Sequence, residues 1–332
     1  MVVHRWRLLN SVTSFGEALR WIKACSPALF SPETSLSCRH DHTVAAIRST
    51  EREHRMAYQD IEYRVEDPVA VITLNRPDRL NAMTTRMLAE IRHASAAAEA
   101  DSRVVGIILT GAGKGFCAGM DLAALDAISA SGEISHEAPE GLAAEPGDPA
   151  MGADFDGIYQ YFLKLRKPVI AAVNGACAGL GFCFALLCDM RFVDRTAKFS
   201  TAFSKRGLVA EHGASWLLPR MIGPSRALDL LWSARRFDGV EAERLGLADR
   251  LCEAGTTVAM ATEYLAELAA NVSPTSIMVI KQQVYRQLMM PLGQAMDETN
   301  RAMDESVQRA DFREGVRSFL EQRPPMFPRL GG

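Results

Sequence analysis

The feature that most constrains this chain is a series of short apolar runs, each halted by a turn or a glycine-rich loop. From Ile61 onward the pattern is regular, and Val69–Leu74 reads Val-Ala-Val-Ile-Thr-Leu before Asn75-Arg76-Pro77-Asp78 stops it. An apolar run of that length fits a buried strand. Thr84 can then cap a helix to about Ala100, with Met87, Leu88 and Ile91 on its apolar face. Val104–Thr110 is a second buried strand and ends in Gly111-Ala112-Gly113-Lys114-Gly115-Phe116. Val169–Val173 is the next, followed by a helix over Gly181–Cys188 and short strands at Arg191–Val193 and Lys198–Ser200. This repeated order of strand, loop and helix predicts α/β layering.

Three regions differ from that pattern. Residues 1–55 are rich in Arg and His and poor in acids, and read as an N-terminal extension ahead of Met56-Ala57-Tyr58. Arg5 and Arg7 before the apolar piece Ala18–Ile22 have some transit-peptide character, a secondary reading to that of an upstream start. The stretch Ala127–Asp156 is small, acidic and broken by Pro and Gly, and predicts a loop or lid. Beyond Gly213 the chain reads as helices almost to its end: Met260–Ala270, a helix capped by Ser273-Pro274 and running through Met289, and two shorter ones to Leu320. The organisation is therefore an extension (1–55), a core (56–255) and a C-terminal helical region (256–332) with amphipathic faces to bury over the site or a neighbouring subunit.

Composition narrows the function. There are 37 Lys plus Arg against 40 Asp plus Glu, a net charge of -3, so no overall basic field draws the chain to nucleic acid. No stretch of about 20 apolar residues suggests a membrane span. The seven cysteines (Cys25, Cys38, Cys117, Cys177, Cys183, Cys188, Cys252) form no C-x-x-C pair, which argues against a disulfide framework or zinc site and for a reducing cytoplasm. The cluster Cys38-Arg39-His40-Asp41-His42 lacks a matching second ligand pair and reads as solvated loop.

Several separated motifs then occur in order: Asn75-Arg76-Pro77 with Leu80-Asn81-Ala82-Met83, Phe116-Cys117-Ala118-Gly119-Met120-Asp121-Leu122, Lys167-Pro168-Val169-Ile170-Ala171-Ala172-Val173-Asn174-Gly175, and Asp311 to Pro328. Together they make residues from about Tyr58 to Pro328 resemble the enoyl-CoA hydratase/isomerase (crotonase) family. The resemblance implies a ββα-spiral core with a C-terminal helical region, a homotrimer or dimer of trimers, and an acyl-CoA thioester as ligand. It implies no metal or redox cofactor, since coenzyme A enters as part of the substrate. This chain departs from the hydratases at both of their catalytic glutamates: Cys183 stands at the first position and Phe203 at the second.

Chemistry next to a thioester carbonyl places negative charge on its oxygen and needs two fixed N–H donors there. By resemblance these are the main-chain N–H groups of Met120 and Leu180, in loops that also carry Ala118, Gly119, Asp121 and Gly179. Glu211, in Gly207-Leu208-Val209-Ala210-Glu211-His212-Gly213, sits where a subset of the family keeps its acid. Hydration needs two proton-moving groups, whereas shifting a double bond from the 3 to the 2 position needs one base. The expectation is therefore 3,2-enoyl-CoA isomerisation by Glu211, with Phe203, Phe184 and Trp216 as an apolar wall that raises its pKa. Hydration, thioester hydrolysis and non-catalytic acyl-CoA binding are the alternatives.

The remaining residues divide between ligand and scaffold. Glu211 can also be read as a favourable charge at a helix start, His212 as a structural imidazole, and Cys183 as a small buried hydrophobe. Asp121 is expected to cap or brace its loop. Arg79, Leu80 and Ala82 are expected to border the pantetheine and adenine, with Arg76 or Arg79 near phosphate oxygens. Lys281 and Phe319 are expected to close over the nucleotide from the C-terminal helices.

Overall fold

The computed structural model describes residues 58–133 and 137–331. The readings placed on residues 1–55, including the Ala18–Ile22 piece and the Cys38–His42 cluster, lie outside the described residues. Among the described residues ten strands form two sheets. They are β1 (Ile61–Glu66), β2 (Val69–Leu74), β3 (Gly106–Gly111), β4 (Gly115–Cys117), β5 (Val169–Val173), β6 (Ala176–Ala178), β7 (Met190–Asp194), β8 (Lys198–Ser200), β9 (Phe237–Asp238) and β10 (Arg250–Cys252).

The larger sheet runs β1-β2-β3-β5-β7-β10, antiparallel only at the β1–β2 hairpin. β3 and β5 are buried at every residue, which is why they read as unbroken apolar runs. β1, at the edge, alternates buried and more exposed positions instead. The smaller sheet runs β4-β6-β8-β9, with β4, β6 and β8 parallel to one another.

Helices follow as α1 (Thr85–Ala100), α2 (Leu122–Ser131), α3 (Tyr161–Lys164), α4 (Leu180–Leu187), α5 (Ala214–Ile222), α6 (Pro224–Ser233), α7 (Gly239–Leu245), α8 (Thr257–Asn271), α9 (Pro274–Gln287), α10 (Leu292–Ser306) and α11 (Ala310–Leu320). The Thr84 hydroxyl accepts the Met87 N–H at 2.9 Å, the cap its position suggests. Met87 and Ile91 are fully buried. α8 covers the sheet face opposite α1, where Ala261 and Leu265 pack with Val71, Ile108, Ile170 and Phe192.

Two long strands each hand over to a short one. β3 passes into β4 across the loop ending at Gly115, and β5 passes into β6 across Asn174-Gly175. The crossings touch: a Cβ on Gly175 would stand 2.1 Å from the Lys114 carbonyl oxygen, so only glycine fits. Asn174 donates to the Gly111 and Gly113 carbonyls at 2.8 and 3.1 Å. From the other side the fully buried Asn81 donates to the Ala112 and Gly115 carbonyls at 2.9 and 2.7 Å and accepts the Arg76 N–H at 2.9 Å.

The sequence reading needs correction at three places. The loop placed at Ala127–Asp156 begins inside α2, which Asp121 caps by accepting the Ala123 N–H at 3.0 Å. Further along, Leu142, Met151 and Phe155 are buried, and the Gly147 N–H donates to Glu99, so this stretch is packed against α1. β9 and β10 interrupt the all-helical region expected after Gly213; at two and three residues they are too short to show a period.

Third, Lys281 does not close over a nucleotide. It is buried, and its Nζ donates to the Phe162 and Lys167 carbonyls at 3.1 and 3.2 Å and to Asp189 Oδ2 at 2.7 Å. Asp189 in turn accepts the Val169 N–H at 2.7 Å and the Tyr285 hydroxyl at 2.8 Å. This network clamps α9 to the sheet. Removing one partner of a buried ion pair leaves the other charge stranded. Lys281→Ala is therefore expected to lose about 3–5 kcal/mol of stability in urea denaturation.

Candidate active site

Because β4, β6 and β8 are adjacent and parallel, the three loops leaving them emerge side by side. From β4 comes Ala118-Gly119-Met120-Asp121, from β6 comes Gly179-Leu180, and from β8 comes the segment through Phe203 to His212. Parallel sheets present their loops at the carboxyl ends of the strands in this way, and ligand sites form there. A cavity of about 120 Å³ lies between these loops. Ala118, Gly119, Met120, Gly179 and Leu180 border it on one side, and Ala202, Phe203, Arg206, Leu208, Glu211 and His212 on another. Leu125 and Ile128 of α2 and Tyr159 complete the wall.

The main-chain donors follow from local geometry. Met83 pairs with the loop by donating to the Gly119 carbonyl and accepting the Asp121 N–H, which leaves the Met120 N–H outside the pairing. Leu180 is the first residue of α4, and first-turn N–H groups have no acceptor within their own helix. The loops are in close approach at Gly119, whose φ is +106°. A Cβ there would stand 3.1 Å from the Ala178 carbonyl oxygen and 3.6 Å from the Leu180 nitrogen. Arg76 ties the same loop to the Asn75-Arg76-Pro77 turn, donating to Asp121 Oδ2 at 2.8 Å and the Ala82 carbonyl at 2.6 Å. This bond holds the Asp121 carboxyl below its usual range. Arg76 is thus engaged in the scaffold rather than offered to a phosphate.

Glu211 is the one carboxylate among the described residues that borders the cavity. It does not cap α5: Gly213 holds the cap position, with no side-chain cap bond. Its carbonyl accepts the Ala214 N–H at 2.8 Å and the Cys183 thiol at 3.6 Å, which fixes the backbone beneath the carboxyl group. Partial burial raises its pKa above the ordinary carboxylate range. His212 follows in the left-handed region, with φ of +50°. Its Nε2 lies 3.7 Å from Glu211 Oε2. Its ring meets Tyr159 edge to face at 4.7 Å.

Some residues expected here lie elsewhere. Cys183 is buried in α4 and does not border the cavity; burial pushes its thiol pKa well up, as befits a packed hydrophobe. Trp216 is also off the cavity wall and stacks instead with Arg220, whose guanidinium carbon lies 3.9 Å from the ring centre. Arg79, Leu80 and Ala82, expected at the pantetheine and adenine rather than in this cavity, form or follow the turn at Pro77–Arg79, with Arg79 and Leu80 exposed. Phe319 is 80% exposed, and among the described residues none beyond His212 borders the cavity, so the described C-terminal helices do not cover it within this chain. Phe184 acts indirectly, meeting Tyr159 edge to face at 5.4 Å. Tyr159 itself was not legible: it lies just beyond a stretch read as loop and reaches the site only through tertiary packing.

A larger cavity of about 630 Å³ lies on the other side of Ala118 and Ala178. Two of its charged residues, Lys198 and Asp238, lie 3.5 Å apart, and a third, Glu241, is held by Arg235 at 2.8 Å. The smaller cavity is where Glu211 meets the loops of Met120 and Leu180.

The sequence pattern of the Enoyl-CoA hydratase/isomerase family matches residues 64–329. The chain belongs to the enoyl-CoA hydratase/isomerase family. It is 35% identical over 274 residues to a protein of Rhodobacter capsulatus named "Probable enoyl-CoA hydratase", covering 82% of this chain and 99% of that one. It is 34% identical over 263 residues to the 1,2-epoxyphenylacetyl-CoA isomerase of Escherichia coli K12, covering 79% of this chain and 96% of that one. The crystal structure of an enoyl-CoA hydratase from Polaromonas sp. JS666 superposes with a TM-score of 0.70 at 28% identity, over 80% of this chain and 99% of that one. The fold is the crotonase fold, an α/β core followed by C-terminal helices.

Burial also separates four of the described cysteines from reactive ones. Cys117, Cys177, Cys183 and Cys188 are all free and buried, and burial pushes the Cys117 thiol pKa up to about 12. Iodoacetamide at mildly alkaline pH is expected to leave these four unlabelled in the native enzyme and to label them after unfolding, as read by peptide mass spectrometry.

Proposed function

We propose that this enzyme converts 3-enoyl-CoA thioesters to their 2-enoyl isomers, with Glu211 as the proton-transfer base. The thioester oxygen accepts hydrogen bonds from the Met120 and Leu180 N–H groups. Glu211 takes a proton from C2, the electron pair of that C–H bond moves into the thioester enolate, and the same proton returns at C4. The double bond moves from C3–C4 to C2–C3 with no net gain or loss of atoms. The observation that carries this reading is Glu211, the single carboxylate among the described residues that borders the cavity, which Met120 and Leu180 also border. One donor of this kind is worth roughly 3–4 kcal/mol in the transition state. A raised pKa makes the carboxylate a stronger base.

Coenzyme A is part of the substrate, with Arg79, Leu80 and Ala82 bordering its pantetheine and adenine, and the enzyme is assigned to the cytoplasm. Association as a homotrimer or dimer of trimers is supported by the apolar side chains that α10 and α11 leave in solvent, among them Leu292 at 78%, Phe319 at 80% and Leu320 at 74% exposure. Hydration of 2-enoyl-CoA is the second reading. His212 supports it as a second side chain with exchangeable protons on the cavity wall.

Turnover of paired 3-enoyl and 2-enoyl thioesters by the wild type and Glu211→Gln tests the assignment. Isomerisation is expected to fall at least about 10²-fold in the variant. Hydration that survives the substitution would move the assignment to the second reading, and tight binding without turnover would make the protein a non-catalytic acyl-CoA binder.

The raised pKa also carries a sign. The folded state disfavours the ionised carboxylate, so Glu211 costs stability increasingly as pH rises through its unfolded value, about 4.3, and up to its folded one. Glu211→Gln is therefore expected to be more stable than wild type at neutral pH, with the gap closing in acid, as read by thermal unfolding.

A further inference from the structure

Tyr159 stands between two cavities. On one side is the reactive cavity of about 120 Å³; on the other is a cavity of about 240 Å³ between α1 and the packed stretch that follows α2. The second cavity has apolar walls at Leu88, Ala89, Leu142 and Ile158, and a polar rim where Arg92 meets Glu145 at 2.6 Å. The ring between them is 5% exposed and held edge to face by His212 at 4.7 Å and Phe184 at 5.4 Å. Phe184 is itself backed by Phe162 at 5.4 Å, and these ring contacts hold Tyr159 at the boundary between the two cavities.

We propose that Tyr159 is the end wall of the acyl pocket and restricts this enzyme to short acyl chains, and that its removal opens the second cavity to longer ones. The inference rests on the acyl-CoA reading above. Size makes the case: a cavity of about 120 Å³ holds roughly four waters at about 30 Å³ each, and one of about 150 Å³ holds benzene. That is room for a short chain. The cavity beyond is twice as large and apolar along one side, so a chain passing the wall would find further surface to bury.

The test is calorimetric titration with butyryl-CoA and octanoyl-CoA. Both are saturated and lack the double bond on which the proposed chemistry acts, so the result does not depend on which reaction the enzyme catalyses. Each methylene that finds an apolar wall is worth about fourfold in affinity. The wild type is expected to bind octanoyl-CoA no more tightly than butyryl-CoA. Tyr159→Ala is expected to raise the ratio of octanoyl to butyryl affinity at least about tenfold, while Tyr159→Phe, which keeps the wall, leaves it unchanged. If the alanine variant does not fold, Tyr159→Val carries the same expectation with a smaller loss of packing. Wild-type binding that strengthens about tenfold or more from butyryl to octanoyl would overturn the proposal, as would an unchanged ratio in the small variants or a shifted one in Tyr159→Phe. If no acyl-CoA binds at all, the acyl-CoA reading falls and takes this proposal with it. Loss of isomerisation with the chain-length pattern intact would overturn the chemistry alone.

Discussion

The parallel pairing of three short strands, β4, β6 and β8, is the constraint on which the rest of this molecule depends. Each contributes only three residues, too few to be stable as a sheet on its own. They hold together because the longer sheet delivers them already in place. β3 and β5 are neighbours, their extensions β4 and β6 are neighbours, and the glycine crossing at Gly175 lets the two chains pass at contact distance. Asn81 and Asn174 then satisfy the carbonyls that this crossing leaves without sheet partners. A buried unpaired carbonyl costs about 1–3 kcal/mol, so these two side chains make the irregular backbone tolerable.

Elsewhere in the core, charges serve as fixtures. Glu90 accepts the N–H groups of Gln59 and Asp60, and Glu99 accepts those of Gly147 and Arg166. Lys167 donates to two carbonyls near the end of α1, and burial lowers its pKa to about 8. Arg191 donates to the Leu247 and Cys188 carbonyls and to Asp249. Each of these ions meets several partners of fixed geometry, which is the condition under which buried charge is tolerated. Glu211 is different: half-buried, outside the cap position of α5, it has a pKa that burial raises. That contrast, rather than carboxylate identity, distinguishes a candidate base from structural acids.

Much of the fold was legible because its signals are local. Val69–Leu74, Val104–Thr110 and Val169–Val173 read as buried strands, and their centres are buried parallel strands here. Thr84 and Ser273 read as caps, and both side chains accept a backbone N–H. What escaped were β4, β6, β9 and β10, whose lengths hide any period, and the packed stretch after α2, where small residues and prolines imitate a loop. Lys281 escaped for a different reason: a lysine on an amphipathic helix looks the same in sequence whether it meets solvent or a buried aspartate.

The amino-acid sequence by itself determined the family, the α/β layering, the two glycine-bearing loops and the departure at Cys183 and Phe203, since each is written in residue type and spacing along the chain. Tertiary structure alone decided that Arg76 belongs to the scaffold, that Cys183 and Trp216 stand away from the cavity, and that Tyr159 separates two cavities. The physical reason is that packing and pairing join residues far apart in sequence. Tyr159 meets Phe184 and His212 across intervals that no periodicity spans, and only the closed core gives such contacts a position.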